Sequence, residues 1–317
     1  MLKRLHYFFA MIIVTQLFSS CGNDDPSSSG GSWGAKADCP FYGSFAFVIG
    51  TKAYVKAGKL WEYDYTNDAW TDKGNAPLSQ ATGYFAFVID GKAYLGVGDY
   101  ASYYTREVWE YDPQLNKWTQ KKDFPGTARG GVAGFAINGK GYFTGGDDST
   151  PTPDNTPNGN LAEVWEYNPT LDEWIQKKDF PGGGRNGAVS FVIGNKGYIG
   201  TGYYVSKTNG LGSGNNLQDF WEYDPTTDTW VRKSDLPGES RSDATGFSIG
   251  NKGYIGTGFG ISGYSGLNDW WEYDVAKNKW SQKKDFVNQG WDYFAFSIGQ
   301  KGYLGGGGST DLFEFKP

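Results

Sequence analysis

The sequence predicts an all-β chain of six four-stranded antiparallel units closed into a ring, and three observations carry this. The 317 residues include 48 glycines and 18% aromatics, with no long helix-forming stretch, which suits short strands joined by tight turns. The tripeptide Trp-Glu-Tyr begins at Trp61, Trp109, Trp165, Trp221 and Trp271, at spacings of 48, 56, 56 and 50 residues. A period of that size marks units that bury their faces against one another. Finally, an apolar strand and a two-residue turn leading into Lys-Ala/Gly-Tyr occur six times. The turns are Gly50-Thr51, Asp90-Gly91, Asn138-Gly139, Gly194-Asn195, Gly250-Asn251 and Gly299-Gln300, whose residues tolerate the positive φ of a tight hairpin.

The N-terminus reads differently. Lys3 and Arg4, an apolar run from Tyr7 extending to Phe18, and small residues before Cys21 form a secretory signal over 1–20, too short to span a bilayer. The end of the signal resembles a bacterial lipobox, with Phe18 where Leu is usual. That resemblance implies lipidation of Cys21, with residues 21–32 as a flexible tether. Its roughly 11 coil residues would reach about 18 Å. The acidic Asp24-Asp25 that follows resembles the segment that directs Bacteroidota lipoproteins to the cell surface, and implies an outer-membrane lipoprotein exposed there. Removing the signal takes away His6, the only histidine, and makes the formal charge of −6 more negative by two.

Residues 33–317 are read as the ring. Each unit has strand a, a hairpin, strand b, a loop, strand c bearing Trp-Glu-Tyr, a short turn, and strand d opening on a second Trp. The sixth copy stops at strand c, with Asp311 to Pro317. Its missing strand stands alone at the front of the chain. Trp33, Lys36, Asp38 and Pro40 fill the places held elsewhere by Trp118, Lys121, Asp123 and Pro125. Residues 33–40 are therefore expected to complete the last unit and close the ring, which protects its edges. Cys39 then takes the place of Phe124, Phe180, Leu236 and Phe286, an apolar packing position rather than a nucleophile's.

Four antiparallel strands at this period, the doublets Gly145-Gly146 and Gly305-Gly306, the Tyr-Asp-Pro turns and the Trp closing each repeat resemble the blade of a Kelch-type β-propeller. The resemblance covers 33–317 and implies a six-bladed propeller. The copper radical oxidases of that superfamily need histidine ligands, which the mature chain lacks. The same lack excludes histidine-dependent hydrolysis and histidine zinc sites. No cofactor and no metal site is expected, although the polar loop 147–160 has enough acids and amides for weak calcium binding. The acidic balance argues against nucleic acid.

Repetition separates scaffold from function. Two acid sets recur around the ring and read as structural. One is Asp38, Asp123, Asp179, Asp235 and Asp285; the other is Glu107, Glu163, Asp219, Asp269 and Asp311. The b–c and d–a loops share one face, the top, and the b–c loops there are longest in blades 3 and 4. That variation is where binding sites are built on a rigid scaffold. Eleven residues after the strand-d Trp, three blades carry Arg129, Arg185 and Arg241, and a fourth brings Trp291. With Tyr42 and Tyr84 nearby, and Tyr203 and Tyr204 from the blade 4 loop, these are the candidate ligand-binding residues. Arginine forks suit carboxylate or sulfate, and aromatic faces suit sugar rings. An arginine in this place can equally hold backbone carbonyls.

The expected function is non-catalytic binding of a glycan, acidic ones included, or of a partner protein. Resemblance to the six-bladed Kelch mutarotase that interconverts anomers of sialic acid implies an alternative, with Glu239 beside Arg241 as the acid. A purely adhesive or structural interaction module is the third reading.

Overall fold

The computed structural model of the protein describes residues 30–43, 45–78, 81–82, 85–100, 103–148, 159–205, 214–261 and 266–317. Among them there are strands and loops and no helix. Six antiparallel sheets ordered a-b-c-d follow one another and form a six-bladed β-propeller; the second carries an extra short strand, Ala81–Thr82, and a separate two-stranded ribbon pairs Tyr203–Val205 with Gly214–Asn216. Blade 1, for example, runs Phe45–Ile49, Lys52–Ala57, Lys59–Asp64 and Ala69–Asn75. Blade 6 runs Tyr293–Ile298, Lys301–Gly306 and Leu312–Lys316, and its fourth strand is the N-terminal Ser32–Ala35.

This N-terminal strand is the expected clasp. Its register sets Ser32 opposite Lys316 and Ala35 opposite Phe313. Beyond the strand, the Lys36 N–H donates to the Leu312 carbonyl at 2.8 Å and the Cys39 N–H to the Thr310 carbonyl at 2.7 Å. Trp33 packs on Trp270, Phe286 and Phe315, with ring centroids 5.2, 4.7 and 4.8 Å away. Cys39 is buried in the layer between blades 6 and 1, where burial pushes its thiol up to about 12.

The core consists of six layers, one between each pair of neighbouring blades. These layers explain the Lys-Gly-Tyr of strand b. A Cβ on Gly197 would lie 2.4 Å from the Phe135 ring of the preceding blade, so the bare backbone is the seat for that ring.

The c–d turns are as uniform as their sequences. Asp68, Asn116, Asp172, Asp228 and Asn278 all have positive φ, which short polar side chains tolerate. Each accepts the hydroxyl of its own strand-c tyrosine at 2.6–2.8 Å. Several also reach the preceding blade, as when Asp68 accepts the Ala37 N–H at 3.0 Å. In blade 6 the place of this turn is taken by the two chain ends, Ser32 beside Lys316. Ser32 therefore lies at the turn face, opposite the b–c and d–a loops.

Candidate functional site

The three repeated arginines are buried, at 0, 1 and 0% exposure for Arg129, Arg185 and Arg241. Their partners are the strand-c acids of their own blades. Arg185 forks onto Asp219, Nη1 at 2.6 Å and Nη2 at 2.9 Å, and also donates to the Thr201 and Gly182 carbonyls at 3.0 and 2.5 Å. Arg241 repeats the fork on Asp269 at 2.6 and 2.7 Å, with Nη1 donating to the Thr257 carbonyl at 3.0 Å. Arg129 makes one such bond, to Glu163 at 2.6 Å. The guanidiniums of Arg129 and Arg185 also lie over Phe124 and Phe180. Their terminal nitrogens go to the strand-c acid and to a carbonyl where strand b ends, and Arg129 and Arg241 also turn Nε to a carbonyl of their own lead-in. The expectation that Arg129, Arg185 and Arg241 are ligand-binding residues is therefore corrected: they are clamps within blades 3, 4 and 5. The strand-c acids are structural as expected, and they also accept the Trp indole N–H two residues on. The other acid set is not engaged with loop amides; Asp38, Asp123, Asp179 and Asp285 stand exposed, while Asp235 pairs with Arg232.

Blade 6 departs from this pattern because its lead-in is one residue shorter. The carbonyl that receives the preceding blade's loop N–H is that of Arg185 (from Gly146), Arg241 (from Gly202), and then Gly290 (from Gly258), each at 2.8 Å. Gly290, not Trp291, thus holds the arginine's backbone place. Its side-chain role passes to Tyr293, whose ring meets Phe286 edge-on at 5.2 Å, as the guanidinium meets Phe180 in blade 4. Trp291 moves one place along, into the position of Asn186 and Ser242, and stands 38% exposed. Its ring meets Phe259 of blade 5 edge-on, at 5.5 Å and 83°.

The next residue in each lead-in forms a collar around the channel. Gly131, Gly187, Asp243 and Asp292 all have positive φ (69, 59, 50 and 57°). Backbone bonds join them in series: Gly187 N–H to the Gly131 carbonyl (3.1 Å), Asp243 to Gly187 (2.9 Å), Asp292 to Asp243 (3.3 Å). Inside the collar lies a cavity of about 540 Å³. Small residues of strand a line most of it, Ala46, Ala86, Ala133 and Ala188 among them, with Ser190, Tyr293 and the two aspartates as polar exceptions. No arginine or lysine is among its lining residues. Burial raises the Asp243 carboxyl above the ordinary aspartate range, against a hydrogen bond from Ser242 and reinforced by the charge of Asp292; burial raises Asp292 likewise. A pair of carboxyls held at the mouth of a small-residue channel can accept hydroxyl or ammonium protons, and a carboxyl with a raised pKa keeps its proton to higher pH than a free aspartate does.

Sequence reading missed this pair, although the signal exists. The place two residues after the arginine is Gly, Gly and then Asp, the types that enter the left-handed region most readily. The remaining candidates are scattered. Glu239 is not a channel residue: its carboxylate accepts the Ile261 N–H and so holds the blade 5 loop. Tyr42 is 73% exposed, Tyr204 is exposed and Tyr203 half-buried; none of them lines the cavity. Tyr84, Cys21 and residues 149–158 of the proposed calcium loop lie outside the described residues. Among the described residues, no group of three or more His, Cys, Asp or Glu is placed to hold a metal ion.

No family model and no curated protein matches the chain. Among solved structures, that of YjhT is similar, with a TM-score of 0.73 over 88% of this chain and 95% of that one, at 15% identity. A likeness at that identity speaks to architecture alone, and it agrees with the strand order: the chain is a six-bladed β-propeller.

Proposed function

We propose that the protein is a Kelch-type propeller that binds a glycan at its channel mouth without catalysis, held at the cell surface through a lipid on Cys21. The observation that carries the reading is the cavity of about 540 Å³, within the size range of small-ligand sites, whose charged lining residues are Asp243 and Asp292. Carboxylates accept sugar hydroxyls, and an aromatic side chain nearby suits the apolar face of a ring. With the arginines committed to the blades, no lining cation offsets the two carboxylates. A neutral sugar fits this site better than an acidic one. The glycine doublets and Tyr-Asp-Pro turns support the Kelch assignment. The place of Ser32 at the turn face supports the tethered arrangement, since the channel mouth would then face away from an anchor on Cys21.

The test is titration calorimetry of the protein with lactose, cellobiose and N-acetylneuraminic acid, beside an Asp243→Asn/Asp292→Asn variant. Saturable binding of a neutral sugar, lost in the variant, is expected. A cooperatively folded protein that binds none of the three would refute the reading.

The raised carboxyl of Asp243 favours one second reading, a mutarotase-like anomer exchange, because it supplies in the channel the acid that Glu239 does not. Exchange NMR on an anomeric mixture decides it: acceleration abolished by Asp243→Asn supports catalysis, and an unchanged exchange rate leaves binding alone.

A further inference from the structure

We infer that Trp291 is the stacking platform for one pyranose ring of the ligand, and that the site selects neutral over acidic sugars. This rests on the glycan reading above. Trp291 is exposed where the three arginine-bearing blades present Gly130, Asn186 and Ser242, so the platform exists in one blade of these four. Its ring meets that of Phe259 nearly at right angles. Phe259 is itself fixed through its backbone. Its N–H donates to the Ser242 carbonyl at 2.8 Å, and its carbonyl accepts the Ser242 N–H at 3.1 Å and the Asn216 side-chain amide at 2.8 Å. An aromatic face held in this way loses little rotamer freedom when a ligand arrives, which favours binding.

Continuity with the channel supplies the second half of the argument. The residue after Trp291 is Asp292, which lines the cavity together with Asp243. Trp291 itself stands outside the lining, and a sugar that reached from the indole into the cavity would meet two carboxylates, which accept hydrogen bonds and repel another anion. The nearest repeated arginine, Arg241, has both terminal nitrogens on Asp269 and cannot serve a ligand carboxylate without leaving it. A scaffold role for Trp291 is a poor account, because the Phe286 seat that the arginine equivalent should fill is already taken by Tyr293.

The experiment is saturation-transfer NMR with titration on the full chain. The probes are methyl β-D-glucopyranoside, methyl β-D-galactopyranoside, methyl α-D-mannopyranoside and N-acetylneuraminic acid. They are applied to wild type, Trp291→Ala and Trp291→Phe, with melting curves to verify folding. At least one neutral glycoside is expected to bind more tightly than N-acetylneuraminic acid. Trp291→Ala should weaken it about tenfold, the size of one aromatic contact, and Trp291→Phe by no more than about threefold. Sugar binding that ignores Trp291→Ala, or preference for the acidic sugar, overturns this inference and leaves glycan binding standing. Absence of binding by every probe overturns both.

Discussion

Replacing Arg185 with methionine separates a clamp from a ligand-binding arginine. The substitution keeps much of the aliphatic stem and deletes four hydrogen bonds, two of them to Asp219. It leaves Asp219, 15% exposed, with the Trp221 indole as its remaining recorded donor, and strands the Thr201 and Gly182 carbonyls. Removing one partner of a buried ion pair costs about 3–5 kcal/mol, because the other charge stays buried and uncompensated. For a chain of this size, at about 2.1 cal/mol/K of unfolding entropy per residue, the melting temperature should fall by roughly 5–8 °C. Two controls sharpen the result. Arg185→Lys should recover little, since a point charge cannot fork onto a carboxylate. Adding Asp219→Asn to Arg185→Met should recover part of the loss by removing the orphaned charge. Arg129→Met should cost less, because Glu163 is more exposed and receives a single bond from the arginine. Scanning calorimetry on the four variants measures all of this. If Arg185→Met melts within about 1 °C of wild type and instead abolishes ligand binding, the clamp argument is refuted and the arginine belongs to the site.

Asp243→Asn should raise the melting temperature at pH 7. The folded carboxyl sits above its unfolded value, so its contribution is complete below about pH 4 and is lost as the pH rises through the folded value. The advantage of the variant should therefore vanish in acid, and a gain that grows as the pH falls would contradict the burial argument. Trp33→Ala should cost about 2–3 kcal/mol, below the range for a fully buried tryptophan because Trp33 is half-buried. Limited proteolysis should then cut blade 6 first, and cleavage elsewhere would count against the clasp. Cys39, with its thiol pushed up to about 12, should resist iodoacetamide at pH 8 in the folded protein and react readily in 8 M urea.

Most of the scaffold was legible because it is repeated. The six hairpin turns, the strand order, the buried Cys39 and the completion of blade 6 by the N-terminal strand all follow from laying one copy on another. The arginines were found by the same counting and given the wrong neighbours. Their acids lie 28 or 34 residues away, beyond strand b and a loop of variable length, so spacing did not show that the two meet. Trp109 illustrates the ambiguity, since its indole engages Glu107 at 2.9 Å in a blade whose aligned arginine place holds Ala81. Counting failed outright in blade 6. A one-residue deletion moved Gly290 into the arginine's backbone place, let Tyr293 fill its packing seat, and left Trp291 on the surface.

The collar shows how much a break in repetition can mean. At a place with positive φ, glycine meets the backbone requirement without strain, and blades 3 and 4 use it. The three links of the collar need only backbone groups, since each joins an N–H to a carbonyl. Nothing in the ring therefore asks for a side chain at Asp243 or Asp292. Yet both carry a carboxyl raised by burial, and the two are close enough for the charge of one to raise the other. A carboxyl partly withdrawn from water beside a second one opposes folding while it is charged, and this falls mainly on Asp243, since Asp292 is the more exposed. Destabilising polar groups that the scaffold does not need concentrate where a protein handles a ligand. The aspartates are thus better evidence for a site than the arginines were. The arginines recur because blades 3 to 5 use them, whereas the aspartates occur where the fold has no use for them.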